Sequence, residues 1–112
     1  MLYMSFTAPH SPNEATEEDL ARFEGQPRQK YAAMMYALDR GVGKIVDELK
    51  AAGKFDNTII FFLSDNGGST TNQSSNLPLK GFKGNKFEGG QRVPFFVVWG
   101  DRFKRDQRFT GL

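Results

Sequence analysis

The apolar run at residues 58–63 constrains the fold of this chain more than any other feature. It reads Thr58-Ile59-Ile60-Phe61-Phe62-Leu63, an unbroken series of β-branched, aromatic and aliphatic residues. Continuous runs of this kind are typical of strands buried on both faces of a sheet, whereas a strand with one face in water alternates apolar and polar residues. The run therefore predicts an interior strand of a parallel sheet.

A long helix is predicted before this strand, from about residue 28 to residue 52. Apolar residues recur there at helical spacing, and Gly53 follows as the expected helix terminator. The apolar stripe comprises Tyr31, Met34, Met35, Leu38, Val42, Ile45, Val46 and Leu49. We expect this stripe to pack on the sheet as core rather than to form part of a site.

Three further elements complete the predicted fold. Residues 2–6 are expected to form a short buried strand, and residues 94–99 a second apolar strand. Thr16, followed by three acidic residues, is expected to cap a short helix. Strand, helix and strand in this order predict an α/β fold with βαβ units on a mostly parallel sheet.

Size and composition exclude several classes of protein. The chain has 112 residues, enough for one small domain at most. Its net charge of +2 comes from interspersed basic and acidic residues, so no nucleic-acid partner is expected. One basic cluster is interpreted as a solvated loop or tail; it comprises Arg102, Lys104, Arg105 and Arg108. The chain has no cysteine and no apolar run as long as a membrane span.

Polar residues follow the predicted strands directly, where ligands gather in open α/β sheets. Asp65 and Asn66 leave the central strand and are followed by Gly67 and Gly68. Their oxygens suit calcium or magnesium, although the same residue types also form plain turns. His10, the single histidine, ends the first predicted strand. It is interpreted either as a proton donor or anion ligand, or as a surface histidine in a turn.

A loop rich in glycine and lysine, residues 79–94, is the third polar segment. Its glycines permit tight backbone turns and its lysines could pair with an anion, but its spacing is not that of a Walker loop. By itself, a segment of this kind is usually a flexible solvated loop.

The order and spacing of these segments resemble the C-terminal part of the sulfatase catalytic domain, in the alkaline-phosphatase-like superfamily. The resemblance extends from Leu2 to about Gly100. The matching segments are Ala8-Pro9-His10-Ser11-Pro12, Tyr31 to Met34 with Leu38 to Gly43, Ser64 to Gly68, and Leu79 to Gly84 with Phe87 to Pro94. The fold expected from the resemblance is an alkaline-phosphatase-like α/β sheet.

The resemblance implies a role for each matched polar residue. It makes Asp65 and Asn66 calcium ligands, places His10 beside the sulfate ester, and sets Lys83 against a sulfate oxygen. A cation, a lysine and a histidine can each stabilise the charge that develops when a sulfate ester is cleaved. Lys80 and Lys86 are then loop charges, and Glu88 with Arg92 is interpreted as a structural pair.

The chain also departs from the sulfatase pattern. Sulfatases carry an acidic first strand and a Cys- or Ser-x-Pro-x-Arg element whose first residue becomes the formylglycine nucleophile, and residues 1–112 contain neither. We therefore expect a partial catalytic domain, inactive alone, whose parent hydrolyses sulfate esters of a sugar or an aryl alcohol. The export typical of the family implies a periplasmic, secreted or lysosomal parent.

Two alternatives remain open from the sequence. One is a related metal-dependent phosphoryl-transfer enzyme, although such enzymes use additional His and Asp ligands. The other is a binding or structural protein that kept the fold and lost the chemistry.

Overall fold

The computed structural model of the chain describes residues 1–103 and 107–108. Two helices precede the first strand, and a third, short helix precedes the second strand. The elements are α1 (Glu17–Ala21), α2 (Gln29–Ala51), β1 (Ile60–Leu63), α3 (Glu88–Gln91) and β2 (Phe95–Val98), with 3-10 turns at Phe55–Asn57 and Thr70–Asn72.

Helix α2 confirms the long helix predicted from the apolar stripe. Gly53 follows the final cap residue Ala52 with φ +62°, and the amide of Lys54 reaches back to the carbonyl of Leu49 at 2.8 Å. This is the glycine-terminated ending expected from the sequence. The core is small: among the described residues the buried apolar side chains are Ala33, Met34 and Leu38, and the rest of the stripe is half-buried.

Helix α1 begins as predicted and is held to α2 by an ion pair between buried Asp19 and partly exposed Arg40. Thr16 Oγ1 accepts a hydrogen bond from the Asp19 amide at 3.2 Å. The Asp19 carboxylate is 1% exposed and accepts two hydrogen bonds from the Arg40 guanidinium, at 2.6 and 2.8 Å. Because both bonds are charge-assisted and converge on one planar group, they fix how α1 lies against α2.

The ion pair makes the α1–α2 packing sensitive to acid. The hydrogen bonds from Arg40 lower the pKa of Asp19 below its ordinary value of 3.8, against the opposing effect of burial. A carboxyl whose folded pKa is lowered stabilises the fold above its unfolded pKa and loses that contribution as pH falls through the folded pKa. The contribution is therefore complete near neutrality and is lost in acid below about pH 4.

We expect Asp19→Asn to lower the thermal unfolding midpoint at pH 7 by about 4–8 °C or more. The loss should shrink as pH falls below about 4, because the carboxyl is protonated first in the unfolded chain and then, in stronger acid, in the folded chain, where its pKa is lowered. Circular dichroism of the helices at several pH values measures both effects. Glu18→Gln is the matched control, since Glu18 is on the same helix in an exposed pair with Arg22 and should change the midpoint little. Equal losses in the two variants would contradict the assignment.

The sheet differs from the predicted one. Strands β1 and β2 pair antiparallel, with Ile60 opposite Val98 and Leu63 opposite Phe95. A parallel pair needs a crossover, usually through a long helix, but α2 precedes β1 and the chain between the strands holds only short turns and α3. The prediction of a mostly parallel sheet built from βαβ units is therefore wrong for the strands that the structure describes.

Two other expectations about strands are also wrong. Residues 2–6 form no strand, because no described strand lies beside them to complete a ladder of hydrogen bonds. Strand β1 is not buried on both faces, since Phe61 is 61% exposed and the described residues place no second layer against it.

The described residues contain no helix that is both long and apolar enough to cross a membrane. In the basic C-terminal cluster, Arg102 and Arg108 are exposed, as expected for a solvated loop. The Arg102 guanidinium lies 4.8 Å from the centre of the Trp99 ring. Lys104 and Arg105 lie outside the described residues.

Candidate functional site

Asp65 and Asn66 lie in the loop where the sequence places them, separated by one residue from the end of β1 at Leu63. The Ser64 amide, between strand and loop, donates to the Pro94 carbonyl at 3.3 Å, and the Ser64 hydroxyl donates to the Asn66 carbonyl at 2.8 Å. Asp65 is exposed and Asn66 is half-buried. Ser64 therefore holds the turn through its amide and its hydroxyl, and the Asp65 side chain stays exposed.

Gly67 is required by a close contact between backbones. Its amide donates to the Gly90 carbonyl at 3.0 Å, and a Cβ at Gly67 would overlap the Gly89 carbonyl group. Gly89 and Gly90 are themselves buried, in α3. At Gly67, therefore, the loop after β1 and the glycine/lysine loop meet main chain to main chain.

Asn76 connects the same two loops through its carboxamide. Its Oδ1 accepts from the Gly68 amide at 2.9 Å, while its Nδ2 donates to the Gly68 carbonyl and to the Gly81 carbonyl, each at 3.1 Å. The sequence does not predict this role for Asn76, because an asparagine between two glycine-containing segments looks like any other loop asparagine.

Lys83 follows the second glycine turn and is anchored by its backbone. Its amide donates to the Gly68 carbonyl at 3.0 Å, so Lys83 is hydrogen-bonded directly to the loop that carries Asp65 and Asn66. Its side chain is half-buried, whereas Lys80 and Lys86 are exposed. Lys80 Nζ lies 4.3 Å from the centre of the Phe87 ring, as a lysine at the loop surface would.

His10 is in an exposed turn, and its ring has a defined tautomer. Nδ1 lies 2.6 Å from the Ser11 carbonyl oxygen, which can only accept, so the proton of that bond belongs to Nδ1. Nε2 can then accept a proton or, once protonated, donate one. The turn reaches the rest of the site indirectly: Asn72 Nδ2 donates to the Pro9 carbonyl at 3.3 Å.

The structure thus brings the three predicted segments together without joining their side chains. The loop of residues 69–76 begins beside the Asp65 loop, touches the His10 turn through Asn72, and ends at Asn76 beside the Lys83 loop. Within the described residues, no hydrogen bond or ion pair joins any two of the side chains of His10, Asp65, Asn66 and Lys83. Their roles stay predictions.

The donor set suits calcium chemically but is incomplete. Asp65 and Asn66 offer a carboxylate and a carboxamide, the hard oxygen donors that calcium takes, while a full calcium shell has about six to eight oxygens. Within residues 1–103 and 107–108, no three His, Cys, Asp or Glu side chains cluster as a metal site. These two residues could supply part of a calcium shell, with other ligands needed to complete it.

Glu88 and Arg92 form the ion pair expected from the sequence, with 3.6 Å between Oε2 and Nη1. Both side chains are about two-thirds exposed, at 66% and 68%. An exposed pair one helical turn apart contributes little stability, so it orders α3 at most weakly.

We expect Asn76→Ala to speed amide hydrogen exchange at Gly68 and Lys83 by about tenfold or more, because the Gly68 amide loses its acceptor and the Gly68 carbonyl loses one anchor. Exchange measured by NMR on the 112-residue chain would show this. Asn72→Ala is the matched control: it removes one carboxamide from the neighbouring loop and should leave Gly68 unchanged. Unchanged exchange at Gly68 in Asn76→Ala would show that other contacts hold the loop.

Comparisons with known proteins bear on what these loops belong to. A family model described as "Sulfatase" matches residues 1–111. The chain belongs to the sulfatase family. The resemblance read from the motifs is thereby confirmed over nearly the whole chain.

Individual sulfatases show the same similarity. The chain is 39% identical to the uncharacterized sulfatase YdeN of Escherichia coli (strain K12), over 88% of this chain and 19% of that protein. It is 39% identical to arylsulfatase J of Mus musculus, over 86% of this chain and 17% of that protein. The crystal structure of Ps i-CgsB in complex with k-i-k-neocarrahexaose superposes with a TM-score of 0.77 and 49% identity, over 83% of this chain and 21% of that chain. The chain thus spans about a fifth of the length of each.

Proposed function

We propose that the protein to which this chain contributes is a sulfuric ester hydrolase that cleaves sulfate monoesters of carbohydrates. The observation that carries the proposal is the hydrogen-bonded junction of the Asp65 and Lys83 loops, at 3.0 Å between the Lys83 amide and the Gly68 carbonyl. In a member of the sulfatase family, this junction brings together an oxygen-ligand loop and a cationic loop, the two components needed to hold a sulfate group.

Lys83 and His10 carry the chemistry proposed for this chain. Cleavage of a sulfate ester leaves negative charge on the bridging oxygen and on the sulfate oxygens. The Lys83 ammonium is assigned to a sulfate oxygen, where a fixed positive charge favours the transition state over the ground state. His10, with Nδ1 holding its proton against the Ser11 carbonyl, is assigned to donate a proton from Nε2 to the leaving alcohol.

Asp65 and Asn66 are proposed as calcium ligands. Bound calcium would supply positive charge against the sulfate oxygens. Asp65 would hold the ion through its carboxylate and Asn66 through its amide oxygen. The nucleophile, formylglycine in this family, is assigned to residues outside this chain, because residues 1–112 contain neither cysteine nor a Ser-x-Pro-x-Arg element.

The substrate class proposed is a sulfated carbohydrate, with aryl sulfates as the alternative. Two similar proteins point toward carbohydrates. The superposed Ps i-CgsB was crystallised with k-i-k-neocarrahexaose. A protein of Canis lupus familiaris that is 36% identical to this chain is an N-acetylgalactosamine-6-sulfatase. Another relative is an arylsulfatase by name. Parallel assays on both substrate types decide between them.

A chimera tests the proposal. This chain is placed in Ps i-CgsB instead of the segment that it matches, and free sulfate is measured after incubation with sulfated carrageenan oligosaccharides and with an aryl sulfate. The unaltered host is assayed beside it. If the chimera releases more sulfate than a host from which the matching segment has been removed, a hydrolase site in this chain is supported. A chimera that folds like the host and releases no sulfate would count against it and favour a non-catalytic role.

A further inference from the structure

The turn that carries His10, residues 7–12, is mostly exposed, so apolar packing holds it only weakly. The His10 amide donates to the Thr7 carbonyl at 2.9 Å, and the His10 ring donates to the Ser11 carbonyl at 2.6 Å. Both bonds are internal to the turn. They determine its shape but not its position relative to the rest of the chain.

One hydrogen bond fixes the turn to another segment. Asn72 Nδ2 donates to the Pro9 carbonyl at 3.3 Å, and among the described residues no other hydrogen bond connects residues 7–12 with the rest of the chain. The Pro9 carbonyl and the His10 amide belong to one peptide group, which is planar and rigid. Asn72 therefore holds the peptide group that leads directly into the Cα atom of His10.

The loop that carries Asn72, residues 69–76, is itself closely hydrogen-bonded. The Asn72 amide donates to the Ser69 carbonyl at 3.2 Å, and the Ser74 amide donates to the same carbonyl at 3.1 Å. Ser69 Oγ also accepts from the Thr71 amide at 3.2 Å. A carboxamide carried on a turn closed in this way loses little further freedom when it binds its acceptor, so it can hold that acceptor in a fixed place.

The same loop connects the His10 turn with the other proposed site residues. It follows the loop of Asp65 directly in the sequence, and Asn76 near its end donates to the Gly81 carbonyl in the Lys83 loop at 3.1 Å. The loop is therefore the hydrogen-bonded path that sets the position of His10 relative to Asp65 and Lys83. Loss of the carboxamide bond to the His10 turn would leave the other bonds of this path in place.

We propose that Asn72 is a positioning residue for the proton transfer assigned to His10. In that step the bond between sulfur and the bridging oxygen breaks, the sulfur passes to the nucleophile outside this chain, and the electron pair stays on the oxygen. The proton on Nε2 moves to that oxygen, which leaves a neutral imidazole. Asn72 acts through the Pro9 carbonyl and sets the direction of Nε2. The inference rests on the proposed function and extends it to a residue that no motif of the sequence indicated.

The first measurement uses the 112-residue chain labelled with nitrogen-15. Asn72→Ala is expected to lower the heteronuclear NOE of the amides in residues 7–11, which reports motion on the nanosecond timescale or faster, because the turn is released from the loop. Gln73→Ala is the matched control. It removes an exposed carboxamide from the next position and should leave these values as they are in the native chain. Unchanged values in Asn72→Ala would overturn the proposal, since other contacts would then hold the turn.

The second measurement is made in the chimera with Ps i-CgsB. Asn72→Ala is expected to lower kcat for sulfate release by at least about tenfold, because a misplacement of about 1 Å can cost a reaction about a hundredfold in rate. KM should change by less than about twofold, since the proton is transferred only in the transition state. In a His10→Ala background, the same change should lower kcat by less than about twofold, because the group that Asn72 positions is already absent.

Two kinetic results would overturn the proposal. An equal loss with and without the His10 side chain would make Asn72 purely structural, and a rise in KM with unchanged kcat would make it a substrate-binding residue. Failure of the proposed function is a separate outcome. A native chimera that folds and releases no sulfate excludes the hydrolase site and every positioning role within it, whereas an active chimera in which the two losses add removes only the role of Asn72.

Discussion

We expect Asp65→Ala to lower the rate of calcium-dependent sulfate release by the chimera with Ps i-CgsB at least about a thousandfold. The variant removes the only carboxylate of the two proposed calcium ligands, and a site that loses its charged oxygen ligand loses most of its affinity for a divalent cation. Sulfate release is measured across a calcium titration, after removal of bound metal with a chelator. The native chimera should recover activity on calcium addition and the variant should not.

Two variants give this prediction its control. Asp65→Asn keeps an oxygen ligand without the charge, so it should respond to calcium only at much higher concentration. Asp47→Ala removes a carboxylate from the exposed side of α2 and should leave the calcium response unchanged. Native rates in Asp65→Ala, or an equal loss in Asp47→Ala, would exclude Asp65 as a ligand.

Lys83→Ala is expected to lower kcat for sulfate release by about a hundredfold to a thousandfold, the usual cost of removing one preorganised group that stabilises transition-state charge. The backbone bond from the Lys83 amide to Gly68 remains in this variant, so the loops stay joined while the ammonium is lost. Steady-state rates over a range of substrate concentration separate the loss in kcat from any change in KM.

Lys80→Ala and Lys86→Ala are matched controls, since both lysines are in the same loop but are exposed. Each should change kcat by less than about threefold, because surface charges at such positions are screened by solvent. If all three alanine variants lose activity equally, the loop acts through its overall charge. If only Lys80→Ala or Lys86→Ala loses activity, Lys83 is not the lysine that contacts the sulfate.

Local patterns predicted α1, α2 and the positions of β1 and β2 along the chain, but not the short helix α3. The periodicity of apolar residues placed α2, Thr16 placed the start of α1, and Gly53 placed the end of α2. Each of these signals lies within a few residues of what it determines. The direction of strand pairing depends instead on how residues 64–94 return to the sheet, and no local pattern reports that path.

The candidate site divides in the same way. His10, Asp65, Asn66 and Lys83 were identified from short motifs and a family resemblance, and the structure shows that their segments meet. The residues that hold those segments together were missed. Asn76 and the Asp19–Arg40 pair act across 5 to 21 residues of sequence, as ordinary polar residues whose partners only the folded chain reveals.

The main-chain contact of Gly67 with Gly89 and Gly90 has a consequence for engineering this chain. Any side chain at Gly67 would collide with backbone, which cannot turn away as a flexible side chain can. Libraries that randomise these glycines should yield mostly misfolded members. The junction glycines therefore have to be kept in any variant that is made to test the neighbouring side chains.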